Sequence, residues 1–173
     1  TMRLTSLKLN DFRDLYLQQL KELYYTENQI IDALPKMIDA ATSTQLQSAF
    51  RQHLEQTRSQ RQRLERIFRR LNVEPEEEKS NAAAGLIDDG SDMIKAEGDP
   101  AVRDAGLIAV AQRIEHYEIA GYGCARTFAQ RLGFHEDASV LQQILDEEGQ
   151  TDKTLTQLAE RHINVEAQQS VPR

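Results

Sequence analysis

The sequence of 173 residues contains no tryptophan, one cysteine, four prolines and eight glycines. A single cysteine, Cys124, excludes a disulfide within the chain and a zinc site built from several thiolates. The scarcity of proline, of glycine and of β-branched runs favours helices over strands. No apolar run approaches the roughly 20 residues that cross a bilayer, and the N-terminus lacks the apolar region of a secretory signal. We therefore expect a cytoplasmic protein with no membrane span, in which Cys124 is a small packing residue.

Positive charge is also in deficit: 28 acidic residues outnumber 21 lysines and arginines, so that the formal net charge is −7 and the pI is near 5.2. This balance disfavours a general nucleic-acid-binding role. Seven arginines lie between residues 51 and 70, and we interpret them as a solvated face that pairs with acids rather than as a nucleic-acid or membrane surface. Hydrophobic residues make up 39% of the chain and charged residues 28%, which is typical of a globular protein. The length predicts one domain over residues 1–173.

Apolar residues recur every three or four positions in four long stretches and one short stretch, which predicts amphipathic helices. The predicted long helices cover about 11–41, 45–71, 101–132 and 136–162, and the short helix covers about 83–97. Tight turns within the first and last pairs of long helices require antiparallel neighbours. The sequence thus predicts an all-α protein, a ferritin-like antiparallel four-helix bundle with one long crossover that contains a short fifth helix. Its core covers 11–162, and the polar tail 164–173 is predicted to be loose.

Four carboxylates interrupt the apolar stripes near the middle of these helices. They are Glu27 on the first long helix, Glu115 and Glu118 on the third, and Glu148 on the fourth. Burying one unpaired carboxylate costs several kcal/mol, so that a group of them needs a shared cation. Glutamates that point into a four-helix bundle are the usual setting for a dinuclear metal site.

The heights of these residues in the bundle follow from counting outward from each turn. On the last two long helices, Glu148 and Asp152 are predicted to lie opposite Glu115 and Glu118, within about one turn. On the second helix, the level of Glu27 falls near residue 59, where the inward positions are polar but not acidic. His53 also faces inward, about a turn and a half away, and is predicted to be either a ligand or a hydrogen-bonded core histidine.

Several neighbours of the acids have two open interpretations. Tyr24 and Tyr122 lie one turn from Glu27 and Glu118, where they are predicted to pack in the core, with hydrogen bonding to ligands or electron relay as the alternative. His116 is predicted to point away from the acids. Gly121 and Gly123 weaken the third long helix by about 1 kcal/mol each, and are predicted to permit close helix approach or to allow local helix irregularity.

Four segments of this chain are similar to those of a known family. They are residues 24–37, residues 53–57, residues 114–123 and residues 145–152. On these segments the chain resembles the YciF-like family of bacterial, stress-associated proteins in the ferritin-like superfamily, over about residues 11–159. The run Glu-His-Tyr-Glu-Ile-Ala at 115–120 is the most specific part of this resemblance.

The resemblance implies a metal site and a homodimer. Carried over by position, Glu27 is a ligand from the first helix, Glu115 and Glu118 are the pair on the third, and Glu148 is the acid on the fourth. Asp152 then stands in place of the histidine that the superfamily has there. The second helix departs from the rubrerythrin pattern, because no Glu-x-x-His occurs between residues 45 and 71.

Two hypotheses follow for the function. In the first, the chain is a dimetal carboxylate protein that binds two metal ions, iron or else manganese, since hard carboxylates suit both. Such a centre would oxidise the metal with O₂ or peroxide, and we leave open whether the protein is an enzyme. In the second, the chain is a structural, non-enzymatic helical dimer in which this metal site is degraded.

Overall fold

The structure, a computed structural model, describes residues 7–169. Its helices are α1 (Phe12–Ala40), α2 (Thr44–Arg70), α3 (Asn81–Ile94), α4 (Pro100–Arg131), α5 (His135–Leu158) and α6 (Asn164–Gln169). A π-helical turn, Ala159–Ile163, joins the last two. No strand occurs within residues 7–169. The five helices that the sequence predicts are all present, and their ends agree to within a few residues.

Local side-chain chemistry sets where the helices begin and end. The side chains of Asp11, Ser43 and Ser80 accept a hydrogen bond from the backbone N–H three residues later and so cap α1, α2 and α3. Asp99 caps α4 in the same way, in front of a proline that suits a first helical position. Gly133 follows α4 with φ of +78°, the left-handed conformation in which glycine commonly ends a helix.

The helices pack as two antiparallel hairpins, α1–α2 and α4–α5, joined by the long connection that carries α3. The short helix α3 lies against α1 and α4, on the outside of the bundle. This arrangement confirms the predicted four-helix bundle with one crossover and a fifth helix. None of the described helices is long and apolar enough to cross a membrane.

The core is divided into two apolar clusters. The first core cluster includes Ile30, Leu34, Met37, Leu46, Phe50, Leu107, Ile114 and Leu155. The second core cluster includes Tyr16, Leu20, Leu23, Leu64, Ile67, Tyr122, Leu141 and Ile144. Each long helix contributes to both clusters, and the buried acids lie between the two contributions. We call this band of buried polar residues the polar layer.

Gly121 brings α4 close to α1 beside the polar layer. A Cβ atom built on Gly121 would lie 2.9 Å from Cδ2 of Leu23, a distance that real side chains do not tolerate. The same atom built on Gly123 would meet nothing within 4 Å. Close helix approach is therefore confirmed for Gly121, whereas Gly123 faces open space and does not serve that purpose.

The C-terminal part of the chain differs from the prediction in two respects. The tail from Asn164 was predicted to be loose, but residues 164–169 form α6, and residues 170–173 lie outside the described part. His162 lies seven residues after buried Leu155 and would share its face in a regular α-helix, but it is exposed. The π-helical turn explains this, because its wider i→i+5 spacing rotates the residues that follow, and Ile163 is buried instead.

Cys124 also differs from its prediction as a packing residue. It is a free cysteine on an exposed position of α4. The neighbouring inward positions of that helix are taken by Tyr122 and Ala125, both fully buried. The helical period therefore turns residue 124 to the surface.

Candidate metal centre

The polar layer takes its residues from all four long helices. α1 contributes Glu27, α2 His53, α4 both Glu115 and Glu118, and α5 Glu148, and none of them is more than 4% exposed. The glutamates lie in largely apolar stripes, and His53 lies in the stripe of α2 that also holds Thr57 and Gln60. The same helical periodicity that buries leucine and isoleucine in the two core clusters buries these groups as well. Helical periodicity therefore explains why the predicted acids lie together in the bundle interior.

Four of these side chains form a compact group. His53, Glu115, Glu118 and Glu148 each offer one nitrogen or oxygen atom within 4.8 Å of the atoms offered by the other three. Nε2 of His53 lies 3.3 Å from Oε1 of Glu115. We call this group the four-residue cluster. Its atoms are close enough together to share a metal ion.

Most polar atoms of the cluster have no hydrogen-bond partner among the described residues. Both carboxylate oxygens of Glu115, Oε1 of Glu118, Oε2 of Glu148 and both ring nitrogens of His53 are buried and unpaired in this sense. Buried polar groups are almost always satisfied, and each one left unpaired costs about 1–3 kcal/mol. So many unpaired polar atoms facing one another, most of them oxygens, fit a bound cation.

Glu27 lies beside the four-residue cluster and is held in a different way. The buried hydroxyl of Tyr122 donates a short hydrogen bond to Oε1 of Glu27, and Oε2 of Glu27 has no partner among the described residues. Tyr122 therefore packs in the core, as predicted, and also hydrogen-bonds to Glu27, a predicted ligand. Tyr24 instead donates to Glu65 at 3.2 Å and packs edge-on against Phe68, away from the acids.

Asp152, the remaining predicted ligand, is not part of the four-residue cluster. Its Oδ1 accepts a hydrogen bond from Gln112 at 2.9 Å and lies 3.4 Å from Nε2 of His116. His116 is exposed and points away from the buried acids, as predicted. The imidazole of the cluster thus comes from α2, and α5 contributes only Glu148.

The position of His53 is the part of the site that counting residues located least well. The count took Glu27 as its reference level, but His53 lies opposite Glu115, one turn nearer the α1–α2 turn than Glu118 is. The predicted inward direction of His53 is confirmed by its burial, but α2 and α4 share no tight turn from which the contact with Glu115 could be counted. Gln60 lies at the expected level near residue 59, and its amide donates a hydrogen bond to Oε1 of Glu148.

A polar network on α2 and α5 positions Glu148. Nε2 of Gln60 also donates to Oε2 of Glu147 at 3.1 Å, and the guanidinium of Arg63 donates to both oxygens of that carboxylate. Of the seven arginines, Arg63 pairs with an acid on a neighbouring helix and Arg58 with Glu55 on its own helix. These pairs agree with the interpretation of a solvated, ion-paired face.

Burial determines the protonation of the layer. It raises the pKa of Glu27, Glu115 and Glu118 well above the ordinary carboxyl value, and the negative charge of nearby carboxylates raises each further. Burial also raises the pKa of Glu148 to about 7. The pKa of His53 is lowered to about 4, so its imidazole is neutral at pH 7 and its nitrogens can bind a metal.

Comparisons with known proteins agree with this architecture. The chain matches the family described as a domain of unknown function, DUF892, over residues 11–168. It is 36% identical to protein YciF of Escherichia coli over 163 residues, which is 94% of this chain and 98% of YciF.

Solved structures give the same result. The crystal structure of the E. coli stress protein YciF superimposes with a TM-score of 0.86 at 37% identity, over 90% of this chain and 99% of that one. YcfI from Rhodopseudomonas palustris, provisionally described as a structural protein, gives 0.84 at 37% identity, over 88% and 97%. A protein from Xanthomonas campestris gives 0.75 at 22% identity, over 91% and 97%, and this shows a shared fold.

Proposed function

The chain belongs to the YciF-like family, DUF892, and on this basis we propose that it is a cytoplasmic, ferritin-like protein whose polar layer binds two divalent metal ions, iron or manganese. One observation carries the proposal. Four buried ligating side chains from three helices converge within 4.8 Å, and most of their polar atoms have no other partner among the described residues.

The donor set fits these metals. His53, Glu115, Glu118 and Glu148 would hold the ions, with Glu27 as a fifth ligand from α1 and Asp152 outside the set. Carboxylate oxygens suit manganese and iron, and an imidazole favours iron among the hard cations. The four glutamates carry four negative charges when ionised, and two divalent ions would balance them while His53 stays neutral.

The other side chains of the layer orient the ligands. Tyr122 fixes Glu27 through its hydroxyl, and Gln60 fixes Glu148 through its amide. Because each donor occupies a single carboxylate oxygen, the second oxygen of Glu27 and of Glu148 stays free to bind a cation. When bound, the metals would supply redox chemistry with O₂ or peroxide, which suits a relative of a protein described as a stress protein.

The direct test is the metal content of protein produced in medium supplemented with iron or manganese. We expect a stoichiometric amount of one of these metals by elemental analysis. The variant Glu118→Ala is expected to lose it while keeping its helical circular dichroism spectrum, since Glu118 belongs to no hydrogen-bonded helix cap. The exposed Glu55→Ala is the matched control and should keep the metal. Wild-type protein without stoichiometric metal, from both media, would contradict the proposal.

A second candidate function is that of a structural, non-enzymatic homodimer with a degraded site. Two observations favour it. Gln60 and Tyr122 already bond to two of the acids, and YcfI carries a provisional description as a structural protein. This candidate predicts a dimer by sedimentation whose mass and melting temperature do not change when Fe(II) or Mn(II) is added. A shift in melting temperature that depends on Glu118 would favour the first candidate.

A further inference from the structure

A narrow cleft between α2 and α5 leads to the four-residue cluster. Its volume is about 50 Å³, enough for a few molecules of the size of water. Its lining changes from exposed Gln52 and Gln150 to half-buried Gln56 and Thr151, and then to buried His53. The cleft therefore extends from the protein surface to one member of the cluster.

The polar side chains that line this cleft, beside apolar Ala49, Phe50 and Leu155, carry no charge. Beside His53, its polar groups are three glutamine amides and two threonine hydroxyls. Amide and hydroxyl oxygens are neutral, hard donors that can replace the waters of a divalent cation, and no lysine or arginine lines the cleft to repel it. The neutral lining thus suits a cation that loses part of its hydration shell on the way inward.

A larger cavity elsewhere makes the contrast clear. The cavity between α1, α3 and α4 has a volume of about 170 Å³, and its lining includes the charged Asp32 and Lys36 beside apolar Met37 and Ile87. No residue of the four-residue cluster lines it. Contact with His53, together with a lining free of charged side chains, therefore selects the cleft between α2 and α5.

One hydrogen bond crosses the cleft. Nε2 of Gln56 donates to Oγ1 of Thr151 at 3.2 Å and so joins α2 to α5 above His53. This is a single bond between neutral groups, which is weak enough to open in thermal motion. Its position lets it control access to the buried imidazole.

We propose that this cleft is the entry route of the metal ion and that the hydrogen bond between Gln56 and Thr151 closes it. The inference rests on the proposed function, since a route requires a metal site at its inner end. His53 occupies that end, 4% exposed and with neither nitrogen hydrogen-bonded to a described residue. The route admits small divalent cations and excludes their bulky chelates.

The test is the rate of Co(II) binding to the full-length, metal-free protein, followed by visible absorption in stopped flow. In Gln56→Ala/Thr151→Ala, association and dissociation should both become about fivefold faster, the factor for losing one ordinary hydrogen bond. In Gln56→Leu/Thr151→Val, which makes the closure apolar, both rates should fall about tenfold. The Kd should stay unchanged in both variants, because a route affects the two directions equally.

The control is Gln142→Leu, which removes an amide that bonds to Arg126 between α4 and α5, away from the cleft. It should leave both rates unchanged. Rates that do not change in either double variant, with a normal Kd, would overturn the route alone. A changed Kd would overturn it too, by showing that Gln56 or Thr151 acts as a ligand or supports the site. Thr151→Val alone, an isosteric change, repeats the test if a double variant does not fold. Absence of Co(II) binding by the wild-type protein would instead count against the proposed function itself.

Discussion

The two helical hairpins supply the polar layer with different chemistry. The α4–α5 hairpin contributes three carboxylates, Glu115, Glu118 and Glu148, whereas the α1–α2 hairpin contributes Glu27 and the neutral imidazole of His53. The amide of Gln60, also on α2, supplies a hydrogen-bond donor to Glu148. One hairpin therefore carries most of the negative charge, and the other supplies mainly neutral groups.

This difference shows how a buried acidic site limits its own charge. A fifth carboxylate on α2 would have to be desolvated and would add to the repulsion that already raises the pKa of the other acids. An imidazole held neutral by burial adds a metal-binding nitrogen without that charge. We infer that the unequal hairpins are better matched to two divalent ions than two equally acidic hairpins would be.

The largest effect should come from a substitution in the α4–α5 hairpin, which carries three of the four buried glutamates of the polar layer. Glu115→Gln removes a charge as well as a ligand atom, and we expect the affinity for Mn(II) to fall about 100-fold or more. His53→Gln removes only a neutral donor and should weaken binding about tenfold. Both affinities can be measured by equilibrium dialysis. The exposed Glu55→Gln serves as the control for a charge change on the surface. Equal losses in the two site variants would show that the hairpins do not differ in this way.

The buried glutamates should also make the stability of the metal-free protein depend on pH. A carboxyl whose folded-state pKa lies above its unfolded value takes up protons on folding, so stability falls as the pH rises between those two values. For Glu148 they are 4.5 and about 7. Its contribution to the free energy of unfolding of the metal-free protein should fall by about 3 kcal/mol across this range. Glu27, Glu115 and Glu118, whose pKa values burial also raises, act in the same direction.

His53 opposes this trend. Its pKa falls from 6.5 to about 4 in the folded protein, so it removes stability as the pH drops between those values. The loss of stability caused by four glutamates exceeds the opposite effect of one imidazole. The free energy of unfolding of the metal-free protein, measured with urea, should therefore be lower at pH 8 than at pH 5. Glu148→Gln should reduce this difference in the free energy of unfolding between the two pH values. With Mn(II) present the stabilisation by metal should increase with pH instead, because protons compete with the ion. A metal-free stability that rises from pH 5 to pH 8 would refute this account.

The smallest effect concerns the contact between the two hairpins. Gly121→Ala places a Cβ 2.9 Å from buried Leu23, and we expect a loss of about 1 kcal/mol in stability after the gain in helix propensity. Gly123→Ala, two residues along the same helix, meets open space and should stabilise by about 1 kcal/mol. Thermal unfolding of the two variants tests the opposite signs. Equal shifts in melting temperature would mean that Leu23 moves aside freely.

The fold could be predicted almost completely, because its signals are local. The apolar periods, the cap at Ser43 and the glycine stop at Gly133 each determine a helix or its end without reference to distant residues. One error arose where the helical period itself changes. The π-helical turn at residues 159–163 leaves no apolar signature of its own, so the exposed position of His162 could not be read from an α-helical pattern.

The candidate site was less predictable, because it depends on how the helices are offset. An inward glutamate can be recognised on its own helix, and all four acids are buried as expected. Which ones meet depends on differences of about one turn in helix register, which sequence counting does not resolve. This is why His53 was placed too far from the acids and Asp152, now bonded to Gln112, was placed among them. That any of these residues binds a metal stays a prediction.

The two core clusters on either side of the polar layer have a consequence for the history of this family. Each cluster holds its end of the bundle together with its own leucines, isoleucines and aromatic rings. Substitutions in the layer can therefore change the chemistry at the centre, or abolish it, while the backbone stays the same. Descendants of one ancestor can thus keep superimposable helices and differ in what they hold between them. Superimposable helices are therefore weak evidence for a shared activity, which depends on the residues of the polar layer.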